Sequence, residues 1–180
     1  MARYLIHTCE ERWWYVSDYL VPSMIEQGIH RDDISIYLDV GDGCLVACMK
    51  AFLSVPNNDD GVWHLQDDII ICSDFKERTE QYDEGIVCGY CYVKDDRQRY
   101  VGEVDKRKIW YSFPCIRIPN RIAHGCGAWF YSHVLNNKEY YMWIRAKKYD
   151  DSVFEIYLLD RCPEMNILNL RPNLVDHIDY

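Results

Sequence analysis

The chain has 180 residues, of which 49% are hydrophobic and 27% charged, and it carries a formal net charge of −9. That length accommodates one domain with a substantial core, and the composition is that of a folded protein rather than a disordered one. The acidic balance argues against a protein that grips a nucleic-acid backbone, which needs a basic surface, although local basic patches such as Lys106, Arg107 and Lys108 remain.

The opening run ARYLIHT reads as a strand, not as a charged stretch leading into the apolar core of a secretory signal. No apolar run approaches the length of a membrane span, so no membrane partner is expected. Nine cysteines without such a signal read as reduced thiols in a cytoplasmic protein. Cys88 and Cys91 lie three apart on a strand-like segment and so point to opposite faces, which disfavours zinc or redox chemistry there. Fifteen Tyr, six Trp and five Phe supply a large buried area, and any that are exposed would suit an acceptor surface or a homodimer.

In chain order, residues 3–8 predict a strand, followed by a helix over about 10–27. Trp13, Val16, Leu20 and Met24 recur at helical spacing and predict one buried stripe, with Pro22 kinking or splitting the helix and Gly28 stopping it. ISIYLDV (34–40) is a second strand, GDG (41–43) a tight loop, and 44–54 a helix with Leu45, Cys48, Met49 and Phe52 on one face. VWHLQ (62–66) is a third strand. This alternation predicts an α/β fold, mostly parallel, with right-handed crossovers and helices on both faces.

The second half is less regular. Residues 73–83 predict a short helix capped by Ser73 or Asp74. IVCGYCYV reads as a strand, and 94–108 as a charged loop or exposed hairpin. YSFPCIRIPNR, with Pro114 and Pro119, predicts an extended edge or loop. GCGAWFYSHVL predicts glycines leading into a helix, YDDSVFEIYLLDR a helix, and the tail NILNLRPNLVDHIDY an extended segment. No repeat or linker divides the chain.

In open α/β sheets, ligands bind beyond the carboxyl ends of the strands. His7, Thr8 and Cys9, then Asp39, then Gln66, Asp67 and Asp68 fall at that edge. Were the third strand to continue, Gln66 and Asp68 would face one way and Asp67 the other. Carboxylate oxygens there suit Mg2+ or Mn2+; the plain alternative is a solvated turn. His64, inside the strand, reads as a hydrogen-bonded core or face residue rather than a ligand.

A strand, an acidic triplet with apolar flanks (WHLQDDIII) and a preceding strand ending in Asp resemble the GT-A-fold glycosyltransferases. The opening HTCEERWWYVSDYLVPSMIEQGI and the late segment RPNLVDHIDY resemble the same family, and residues 3–75 are similar to its small phage members. The resemblance implies a single Rossmann-like GT-A domain, with 1–75 as the nucleotide-binding half and 76–180 as the acceptor-side half. It implies Mn2+ or Mg2+ held by Asp68 and His177, and a nucleotide-sugar donor, a UDP-sugar foremost. His7, Thr8, Arg12, Asp39, Gln66 and Asp67 would contact that donor. Asp151 or Asp150 would serve as the catalytic base toward a DNA base, protein or glycan acceptor. Gln66 departs from the family's acidic residue at the first triplet position. Asp150 and Asp151 also read as a helix N-cap, and His177 as a tail histidine. Two other function classes stay open: a non-catalytic binding module on the same fold, and a nucleotidyltransferase, for which GDG is too small a phosphate loop.

Overall fold

Tyr4, Leu5 and Ile6 are all buried, because β1 (Tyr4–Cys9) is covered on both faces. Leu5 joins a core with Cys48, Met49 and Phe52, whereas Tyr4 and Ile6 join a second core with Val16, Leu20, Met24 and Phe75. Period-two alternation in one strand thus seeds two apolar layers. The molecule is a computed structural model. It describes residues 3–90, 114–137, 150–165, 167–170 and 173–178. The cluster Lys106, Arg107 and Lys108, Cys91 and the expected loop over 94–108 lie outside these.

After β1 comes a helical run over residues 10–26, here α1. It passes from a 3-10 turn (Glu10–Arg12) through Trp13–Tyr15 and a π segment (Val16–Leu20) to an α-helical end, Val21–Glu26. Pro22 sits in the first turn of that last piece, where its missing N–H is harmless. Of the expected stripe, Val16, Leu20 and Met24 are buried, but Trp13, where the run passes from the 3-10 turn into the α-helix, is exposed.

β2 (Ile34–Asp39), α2 (Cys44–Ser54) and β3 (Gly61–Gln66) follow. Next are β4 (Ile69–Ile71), α3 (Phe75–Thr79) and β5 (Ile86–Cys88). Asp74 precedes α3 without capping it through its side chain. The chain closes with β6 (Cys115–Pro119), α4 (Asn120–Trp129) with a π extension (Phe130–Val134), α5 (Asp150–Arg161), β7 (Ile167–Asn169) and β8 (Val175–His177).

The main sheet has the order β2-β1-β3-β6-β5-β7, and β4 pairs with β8 beside it. The fold is α/β with a mixed sheet: β1 runs parallel to β2 and β3, and β5 to β7, but β6 is antiparallel to both neighbours. β6 is therefore an interior strand, not the expected edge. Its prolines do not interrupt the ladder, since Pro114 precedes the strand and Pro119 ends it opposite Gly61. Nor do Gly125 and Gly127 lead into a helix; both lie inside α4. A Cβ on Gly127 would stand 2.8 Å from Met49 O and from Leu53 Cγ, so this glycine lets α4 lie against α2. Phe52, at the centre of that layer, is fully buried; its truncation to Ala would cost about 3–5 kcal/mol.

Candidate functional site

β1 pairs with β2 on one side and β3 on the other, so the chain reverses direction across the sheet between β1 and β3. Such a reversal opens a crevice at the carboxyl ends of the strands. A cavity of about 250 Å³ lies there, lined by His7, Thr8, Cys9, Arg12, Asp39, Cys44, Gln66, Asp67 and Asp68. Its size falls just under the ~300–1,000 Å³ typical of small-molecule sites.

The acidic pair directly follows β3. The expected alternation fails, because the chain bends after Gln66 and brings both carboxylates to one guanidinium. Arg12 Nη1 lies 3.0 Å from Asp67 Oδ1 and donates to Asp68 Oδ2 at 2.8 Å. Asp67 is 3% exposed and also accepts from the Cys9 backbone N–H at 3.3 Å. Burial pushes the Asp67 carboxyl up, while Arg12 and Thr8 pull it back down. Burial opposes the charge on Arg12, yet its contacts with Cys9, Asp67 and Asp68 raise its pKa overall.

His177 reaches this group through β8. The antiparallel register sets Ile69 opposite His177, and the Ile178 N–H donates to Asp68 O at 2.8 Å. His177 Nε2 thereby stands 3.3 Å from Asp68 Oδ2. Asp68 Oδ1 is buried and has no hydrogen-bond partner among the described residues. The unpartnered Oδ1 is the hard oxygen donor that Mn2+ or Mg2+ takes, while the His177 nitrogen stands against the other oxygen, Oδ2, which also accepts from Arg12.

Asp39 closes the far side. Its Oδ1 accepts from the N–H groups of Gly41 (3.0 Å) and Asp42 (2.8 Å), folding the GDG loop back over the end of β2. Gly43 then precedes α2 with φ 85°, a conformation that favours glycine. Asp39 thus shapes the loop as well as lining the cavity. Asp150 and Asp151 open α5, and their side chains lie outside the described residues.

No protein-family model matches this chain, and no curated protein does.

His7, Thr8, Arg12, Asp39, Gln66, Asp67 and Asp68 line one cavity, and His177 joins them through Asp68. Cys44, outside the set expected from the sequence, lines it as well; its place directly after the GDG loop that follows β2 is the signal for it. His64 departs from expectation. It is fully buried, and neither ring nitrogen has a hydrogen-bond partner among the described residues. No described helix is long and apolar enough to cross a membrane.

Proposed function

We propose that the chain is a metal-dependent glycosyltransferase of GT-A type, moving a sugar from a nucleotide-sugar donor, a UDP-sugar foremost, to a DNA base, protein or glycan. One observation carries this reading: Asp67 and Asp68 stand at the switch point of the sheet with His177 against Asp68. Asp68 and His177 are the residues that would hold Mn2+ or Mg2+. A divalent cation, when bound, neutralises the charge that grows on the departing nucleoside diphosphate.

The protein's own groups do the rest. Arg12, anchored by Asp67, offers a guanidinium fork suited to phosphate oxygens. His7, Thr8 and Asp39 form the wall against which the nucleoside rests. Asp67, buried behind Arg12, orients that guanidinium and receives donor hydroxyls. In an inverting reaction Asp151 or Asp150 takes the acceptor proton.

Thermal unfolding with UDP, GDP, CDP and their sugar conjugates, with and without Mn2+, tests the reading. A ligand that binds only the folded chain raises its melting temperature by mass action. The expected result is a Mn2+-dependent rise with one nucleotide class that is absent in Asp68→Ala. No rise with any donor in a well-folded sample would overturn it.

A second reading, a non-catalytic nucleotide-binding module, is favoured by one contact. Arg12 already satisfies an oxygen of each carboxylate, as a built-in cation would. Such a module would bind nucleotide equally well in the presence of a chelator.

A further inference from the structure

Two imidazoles and a thiol converge under the floor of the cavity. The parallel register of β1 and β3 sets Leu5 opposite His64 and His7 opposite Gln66, so the two histidines are diagonal neighbours on the face that α2 covers. Their rings stack with centroids 6.1 Å apart, and Phe52 closes on His64 edge-on at 5.2 Å. Cys48 descends from α2 into the same space and is fully buried. One ligand atom from each of His7, Cys48 and His64 lies within 4.8 Å of the other two.

A neutral imidazole carries one donor and one acceptor nitrogen, and both normally find partners when buried. Both nitrogens of His64 lack one among the described residues, although the side chain is fully enclosed. A polar ring kept in an apolar layer without hydrogen bonds calls for a ligand.

We propose that His7, Cys48 and His64 bind a thiophilic d10 cation, Zn2+ or Cu+, through one thiolate and two neutral imidazoles. Thiolate and imidazole donors favour these ions over the hard cations suited to Asp68. Three atoms at the 4.8 Å limit lie about 2.8 Å from their common centre. An inward shift of about 0.5–0.8 Å by each reaches the ~2.0–2.3 Å bonds of zinc. Burial, and then the neighbouring His7, hold the His64 pKa down to about 3, which keeps the ring neutral and ready to ligate. His7 also lines the cavity, which gives the ion a route in. The site shares His7 with the wall proposed for the nucleoside, but Asp68 and His177 take no part in it.

The test uses the full chain, stripped with a chelator and kept reduced. Co2+ is titrated in as a spectroscopic probe, then displaced by Zn2+, and Cu+ is offered in a parallel arm from a chromogenic cuprous chelator. The expected result is one equivalent per chain with a thiolate-to-cobalt charge-transfer band. Cys48→Ser should remove the band and weaken binding on the order of 100-fold, while Asp68→Asn keeps both. Metal-edge X-ray absorption on the unmutated zinc form should show one sulfur and two nitrogen neighbours from protein, a readout that needs no variant to fold. Displacement by Zn2+ alone, or capture of Cu+ alone, identifies the ion. A folded chain with no thiolate band and no Cu+ uptake, or a band that persists in Cys48→Ser, would overturn the proposal.

Discussion

His177 Nε2 and Asp68 Oδ2 stand 3.3 Å apart, joined by the pairing of β4 with β8. The pair also brackets Arg12, whose Nη1 donates to the same Asp68 oxygen at 2.8 Å. One carboxylate is thus shared between a fixed cation and an imidazole. Removal of Arg12 should therefore reveal whether the carboxylates want a positive charge. In Arg12→Met, Asp67 stays buried without its partner. Breaking a fully buried pair costs about 3–5 kcal/mol, but Arg12 is partly solvated, so a loss of about 1–3 kcal/mol is expected. Mn2+ should restore more of the melting temperature in Arg12→Met than it adds to the wild type. Denaturant unfolding with and without Mn2+ measures both effects, and equal Mn2+ shifts in the two proteins would refute the idea.

Packing of α4 on α2 is tested at Gly127. Its added Cβ would meet Met49 O, a backbone atom that cannot rotate away, at 2.8 Å. Overpacking of this kind costs about 1–3 kcal/mol. Gly127→Ala should lower the unfolding midpoint by that amount without changing the denaturant slope, since the surface exposed on unfolding is unchanged.

The order of elements over the first 66 residues is legible because short apolar runs, buried on both faces, alternate with helical segments such as the one carrying Cys48, Met49 and Phe52 on one face. The carboxyl-edge rule then collects the cavity residues. β6 differs from the expected edge because prolines look alike in sequence wherever they fall, and only the register shows that these flank the ladder. Gly125 and Gly127 look like a helix start, yet serve contacts with Tyr157 and α2 that no local pattern encodes. The meeting of Asp67 and Asp68 on one guanidinium depends on a bend after Gln66, which period-two counting cannot foresee. Nor do residue type and strand position tell whether a buried ring such as His64 finds hydrogen-bond partners.

His64 also sets an acid limit on the metal-free chain. Its folded pKa of about 3 lies below the ordinary 6.5, through burial first and His7 second. As pH falls through about 6.5 the unfolded chain takes up a proton that the folded chain refuses until about 3. Stability is thus full above the unfolded value, drops across that window and levels off below it. The loss is on the order of a few kcal/mol. His7 stacks against His64, so the comparison should be made in chelator on wild type and His64→Phe. The variant should lose most of the slope between pH 6.5 and 4, and an unchanged slope would remove His64 as its source.

Gln66 offers the sharpest test of the acidic pair as a cation site. It ends β3, its N–H donates to Pro114 O at 3.0 Å, and its side chain lines the cavity with Asp67 and Asp68. Gln66→Glu keeps the length and the backbone bond but adds a third carboxylate. Without metal, the extra charge beside Asp67 should lower stability, because burial already works against ionisation there. With Mn2+ the order should reverse: another hard oxygen donor strengthens a divalent site, so calorimetric titration should show about tenfold tighter binding or better. A variant that loses stability in chelator yet gains no affinity for Mn2+ would mean that Arg12 is the only cation these carboxylates are built to hold.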